Sequence, residues 1–159
     1  MKKFVIVFCI FLTGNTLIAQ TLKDDVEMVQ GIWGKEKKAL AADMMDLTAA
    51  EITAFGPVYD AYLVTRKELG MERLQLIKKY VDNLATMNDA IAAEVATGLL
   101  KNNVSLDKLH LKYFGKFSKA LNPVKAAQWL QTESYIDAVI RMQLQESLPF
   151  IERAPVKKN

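Results

Sequence analysis

Few residues in this chain of 159 could do covalent or metal chemistry. It has one histidine, His110, and one cysteine, Cys9. Asp107-x-x-His110 puts two metal-ligand types on one helix face. Carboxylate-rich di-iron bundles carry a second such pair on another helix, and this chain has no second His. A surface or capping histidine fits the pattern better. A serine nucleophile would sit in a strained turn such as G-x-S-x-G, and no such turn occurs. The seven glycines make neither a P-loop nor a dinucleotide fingerprint. Carboxylates are plentiful, but no two are marked as an acid–base pair with separated pKa values. These residues indicate no enzyme, no cofactor and no metal centre. Met28, Met44, Met45, Met71, Met87 and Met142 could offer adaptable contacts to unfolded clients; filling gaps between helices is the commoner explanation.

The elements that would position any binding surface are helices. Thr48 and Glu51 form a capping box: the hydroxyl accepts from the third helical amide, and the carboxylate reaches back to the Thr amide. Behind them Ile52, Phe55, Tyr59 and Tyr62 recur at three- and four-residue steps. A long helix therefore starts here, and its apolar face continues through Leu69, Leu76, Ile77, Tyr80 and Leu84. Gly56-Pro57 lies inside it. Proline removes a hydrogen bond and clashes with the preceding turn, so the helix kinks or it ends and restarts; a stripe that keeps its phase through Pro57 favours the kink. Phe55, Tyr59, Tyr62 and Trp129 read first as core, then as an apolar client-binding groove or dimer face.

Before this helix, Val26, Val29, Trp33, Leu40 and Met44 mark the apolar face of a first helix over residues 22–45. After it, Asn88 is the N-cap candidate of a third helix to about Leu121, with Asn102-Asn103 as a local interruption. Lys108, Lys112, Lys116 and Lys119 form a basic ridge that suits the negative end of the helix dipole. Asn122 as cap and Pro123 at the first helical position open a fourth helix to about Ser147. No strand or hairpin signal appears. The expected fold is all-α: four helices, two or more of them long, joined by short connections that make neighbours antiparallel.

The N-terminus carries an address. Lys2 and Lys3 precede the unbroken apolar run Phe4 to Leu12, and Leu17-Ile18-Ala19 precedes a plausible cut before Gln20, with a cut after Gln20 as the alternative. That is a secretory signal over residues 1–19. A membrane span would need about 20 apolar residues, and Thr13, Gly14 and Asn15 interrupt this run. The mature chain is therefore expected to be periplasmic, or secreted where there is no outer membrane. It would hold one domain over residues 20–151 and a basic, disordered tail over 152–159. Cleavage removes Cys9, so no disulfide is available. It leaves 19 basic against 18 acidic residues. A formal charge of +1, with export, argues against nucleic acid as a partner.

A second helix of about 36 residues would be ~54 Å long, whereas a compact domain of this size has a radius of gyration near ~14 Å. The molecule is thus elongated with apolar surface uncovered, or a second chain covers that surface.

LTAAE at 47–51 resembles the LTxxQ motif of the Spy/CpxP-like family of periplasmic helical proteins. The likeness extends through GIWGKEKKAL, FGPVYDAY, ERLQLIKKY and LNPVKAAQWLQTESYIDAVIRMQL, roughly residues 27 to 151. A second motif position falls at Leu121, Asn122 and Pro123, matching the first at Leu47, Thr48 and Glu51. The chain departs from the pattern in Glu51 for Gln and LNPVK for LTPxQ, swaps that keep the capping chemistry. Gly56 stands where many relatives have an aromatic, which would open space beside Pro57. The chain also lacks the histidines of the metal-responsive branch. The resemblance implies a curved helical hairpin paired into a cradle-shaped homodimer. It implies ATP-independent chaperone activity on unfolded or stress-damaged envelope proteins; the alternative is a regulatory partner of an envelope-stress sensor.

Overall fold

A computed structural model describes residues 37–151. The expected signal sequence and cleavage site, the expected first half of the first helix and the expected basic tail lie outside these residues. The described residues are all-helical, with no strand among them. α1 covers residues 37–44, α2 Ala49–Asp82, α3 Asp89–Ala120 and α4 Pro123–Ser147, with a 3₁₀ turn at Leu84–Thr86 between α2 and α3. None of these helices is long and apolar enough to cross a membrane.

Local chemistry sets each helix boundary. α1 ends on Asp46, which takes a left-handed φ of 47°. The Leu47 amide reaches back to the Ala42 carbonyl and the Asp46 amide to that of Asp43, closing the last turn. Lys125 Nζ donates to the freed carbonyls of Met45 at 2.7 Å and Asp46 at 3.1 Å. At the start of α2 both halves of the capping box form: Thr48 N donates to Glu51 Oε2 at 2.9 Å, and Glu51 N to Thr48 Oγ1 at 3.3 Å. These bonds hold the Glu51 carboxyl below its ordinary pKa. Asn88 Oδ1 accepts from Ile91 N, and Asn122 Oδ1 from Lys125 N.

α2 runs through Pro57 without a break, so the end-and-restart alternative falls. The Asn102-Asn103 pair does not interrupt α3 either. Both side chains are tied across helices. Buried Asn102 donates from Nδ2 to the Leu69 carbonyl at 2.9 Å and to Glu72 Oε2 at 3.0 Å; Asn103 accepts from two arginines.

Contacts give the register. Tyr113 lies against Ala61, Asn102 against Leu69, and Glu94 against Lys79, so numbers fall along α3 as they rise along α2. Trp129 packs on Phe117 and Arg141 on Asn103, so they rise again along α4. The core gathers around the start of α2, the second half of α3 and the first half of α4. Phe55, Tyr59, Tyr62, Phe117 and Trp129 are fully buried there, with Ala41 and Met45 of α1 closing one side. Farther along α2 and back along α3 the core thins to Ile77 and Val95.

The first helix turns a different face inward from the one its pattern predicts. Leu40 and Met44 are 43% and 46% exposed, while Lys37, Ala41 and Met45 face the core. The physical reason is Lys37, whose ammonium reaches a buried carboxylate on α4. Ile52, expected on the apolar stripe of α2, is also exposed.

Candidate functional site

Glu133 is a wholly buried carboxylate halfway along α4. Its Oε2 accepts from Lys37 Nζ at 2.7 Å and Tyr62 Oη at 2.8 Å, and its Oε1 from Tyr59 Oη at 2.7 Å. Three donors from two helices thus satisfy one charge, the condition under which a buried carboxylate is tolerated. Burial, then the charge of Glu133, holds both tyrosine hydroxyls far above their ordinary pKa, so they stay protonated donors. One turn farther along α4, Asp137 Oδ1 accepts from Arg66 at 2.6 Å. Burial opposes the Arg66 charge, but Asp137 more than offsets it and the guanidinium pKa rises. His110 Nε2 lies 3.2 Å from Tyr62 Oη, with its ring against Tyr62 and Trp129. Burial pushes its pKa down.

With Glu133 and Asp137 turned inward, and Lys125 and Arg141 half-buried, α4 has an unusual outer surface. Val124, Gln128, Gln131, Tyr135, Ala138 and Met142 fall on one outward stripe, all exposed and all uncharged. Tyr135 is 61% exposed and Met142 58%. On α3 the outward stripe carries Leu100, Val104 and Leu111, the last 75% exposed. The register that sets Trp129 beside Phe117 sets Tyr135 level with Leu111, and Met142 level with Val104. Two adjacent helices therefore show exposed apolar side chains at matching heights. A face of this composition can bind apolar segments by burial.

The predicted site residues fall differently. Phe55, Tyr59, Tyr62 and Trp129 have no exposed surface. As a client or dimer face they are therefore corrected to core: the chain's own helices cover them. Leu47 and Leu121 pack against that core, and Thr48, Glu51, Asn122 and Pro123 set helix starts. The space expected beside Gly56 is filled by Lys38, whose Nζ would lie 3.4 Å from a Cβ at that position and bonds Asp60 at 2.8 Å. His110 is neither a surface nor a capping residue but a partly buried neighbour of Tyr62. The basic ridge of α3 is exposed except that Lys112 and Lys116 lie over the ring of Tyr113. Among the described residues no group of three or more His, Cys, Asp or Glu converges as metal ligands do.

Sequence reasoning missed Lys37, Arg66, Glu133 and Asp137. One signal was available: Glu133 and Asp137 stand at helical spacing among Trp129, Ile136 and Ile140, charges placed on an apolar stripe.

Comparison with family models, with curated proteins and with solved structures finds no match to this chain.

Proposed function

We propose that this chain is an exported periplasmic protein that binds unfolded or stress-damaged envelope proteins transiently, without nucleotide hydrolysis or catalysis. In this reading α2, α3 and α4 form an extended, curved antiparallel hairpin that pairs with a second copy. The observation that carries the proposal is the uncharged outward stripe of α4, together with Leu100, Val104 and Leu111 of α3, which stay open to solvent among exposed charges such as Asp107 and Lys108. Such a face shields exposed apolar segments of a client and releases them. The resemblance of LTAAE and LNPVK to the Spy/CpxP-like motifs supports the same reading.

Light scattering by an aggregating client tests it. Suppression at equimolar ratio, weakened by Leu111→Glu together with Tyr135→Glu, is the expected result. No suppression at equimolar or higher ratio rejects the proposal. Tight binding of a single envelope protein, with no effect on others, would move the assignment to a dedicated regulatory partner.

A further inference from the structure

At one level of the bundle α2 and α4 face each other with opposite charges, Arg66 against Asp137 at 2.6 Å. Arg73 lies two turns along α2 from Arg66 and Arg141 one turn along α4 from Asp137; both are cations, and their side chains converge on Asn103. Arg73 Nη1 donates to Asn103 Oδ1 at 2.9 Å, and Arg141 Nη1 donates to the same oxygen at 3.1 Å. Neither forms an ion pair with a carboxylate among the described residues. Both side chains are half-buried, and Arg73 Nε is buried with no hydrogen-bond partner. Burial, then Arg141 and Arg66, push the Arg73 pKa down, and the charge of Asp137 opposes them without offsetting them.

Two guanidinium groups carry ten N–H donors between them, and one amide oxygen cannot satisfy them. Planar forks of this kind take two oxygens of one anion at once. We infer that Arg73 and Arg141, set on α2 and α4 and steered by Asn103 of α3, form a binding site for an oxyanion bearing two or more oxygens. The anion adds to the negative charge that Asp137 alone supplies beside three arginines. It is either a free phosphate-like ion or a carboxylate carried by a bound polypeptide. The site stands on its own geometry and does not depend on client binding by the outer face.

The test is thermal unfolding of the folded protein in sodium phosphate, sodium acetate and sodium chloride at matched ionic strength, paired with ³¹P line broadening of phosphate. The inference expects a saturable rise of the unfolding midpoint with phosphate or acetate and none with chloride. Arg141→Met should lose that rise and, freed of the crowded charge, unfold no lower than the parent in chloride. A response to phosphate alone assigns the free ion, and an equal response to acetate assigns the carboxylate source. Equal midpoints in all three salts with no ³¹P broadening overturn the site. So does an unchanged phosphate response in Arg141→Met. If Arg141→Met fails to fold, Arg73→Lys and the ³¹P measurement on the parent decide it, since a purely structural bridge to Asn103 broadens no phosphate line.

Discussion

The two halves of the helix bundle are held by different means. The half that includes α1 has a buried aromatic cluster around a fully satisfied carboxylate, with Phe117 and Trp129 rings 4.4 Å apart. The other half, beyond Leu69, buries Ile77 and Val95 and is closed mainly by polar ties: Lys79 to Glu94, Tyr80 Oη to the Pro149 carbonyl at 2.6 Å, and two arginines on Asn103. Exposed ion pairs contribute about 0–1 kcal/mol, whereas burying a large aromatic contributes several times that. Helices of one sequence and nearly constant apolar content thus give a firm end and a loose one. The distribution of charge decides which is which. Where Glu133 and Asp137 turn inward, the outward stripe of α4 is left without charge.

The largest effect should come from the centre of the firm half. Glu133→Gln strips the charge partner from buried Lys37, and breaking a buried pair on one side costs about 3–5 kcal/mol. The urea midpoint should fall accordingly. Adding Lys37→Met should recover part of the loss, because no unpaired charge then remains. Next, Phe117→Ala should cost about 3–5 kcal/mol, while Ile77→Ala in the loose half stays near the low end of its range, about 2 kcal/mol. Equal costs would erase the contrast.

Glycines on α3 sharpen it. A Cβ at Gly115 meets nothing within 4 Å, so Gly115→Ala should stabilise by about 1 kcal/mol through helix propensity. A Cβ at Gly98 would stand 2.6 Å from Leu76 Cδ2. There the half-exposed Leu76 side chain must turn aside, which offsets part of the propensity gain, so Gly98→Ala should stabilise less than Gly115→Ala. The loose half is thin, but its two helices touch.

The smallest effect is a pH dependence. Burial holds the His110 pKa below its ordinary value, against the opposing charges of Asp137 and Glu133 and with Arg66 and Asp107 nearby. Its unfolded form takes up a proton first, at about pH 6.5. The stability tied to neutral His110 is therefore complete above that pH and is lost as pH falls toward the folded pKa. Denaturation midpoints at pH 7.5 and 5.5 should differ more for the parent than for His110→Gln.

Much of the fold was legible because helix starts are local chemistry. Thr48 with Glu51, Asn88, and Asn122 with Pro123 cap the predicted helices. The face of α1 was not legible. Lys37 is an ordinary surface residue until Glu133, 96 positions away, gives it a partner. For the same reason the aromatic residues, read first as core, also stayed open as a binding face. Their burial depends on Tyr59 and Tyr62 having a carboxylate to bond, a contact between distant helices. The outer face of α4 follows from that same inward turn of Glu133 and Asp137, so it too stayed hidden in the pattern.

Hydrogen exchange resolved along the chain tests the two-halves account most directly. Amides of residues 106–117 and 126–137 should exchange slowest, through global unfolding, while those of 72–98 and 140–147 open earlier. Uniform protection, or the slowest exchange around Ile77 and Val95, would contradict it.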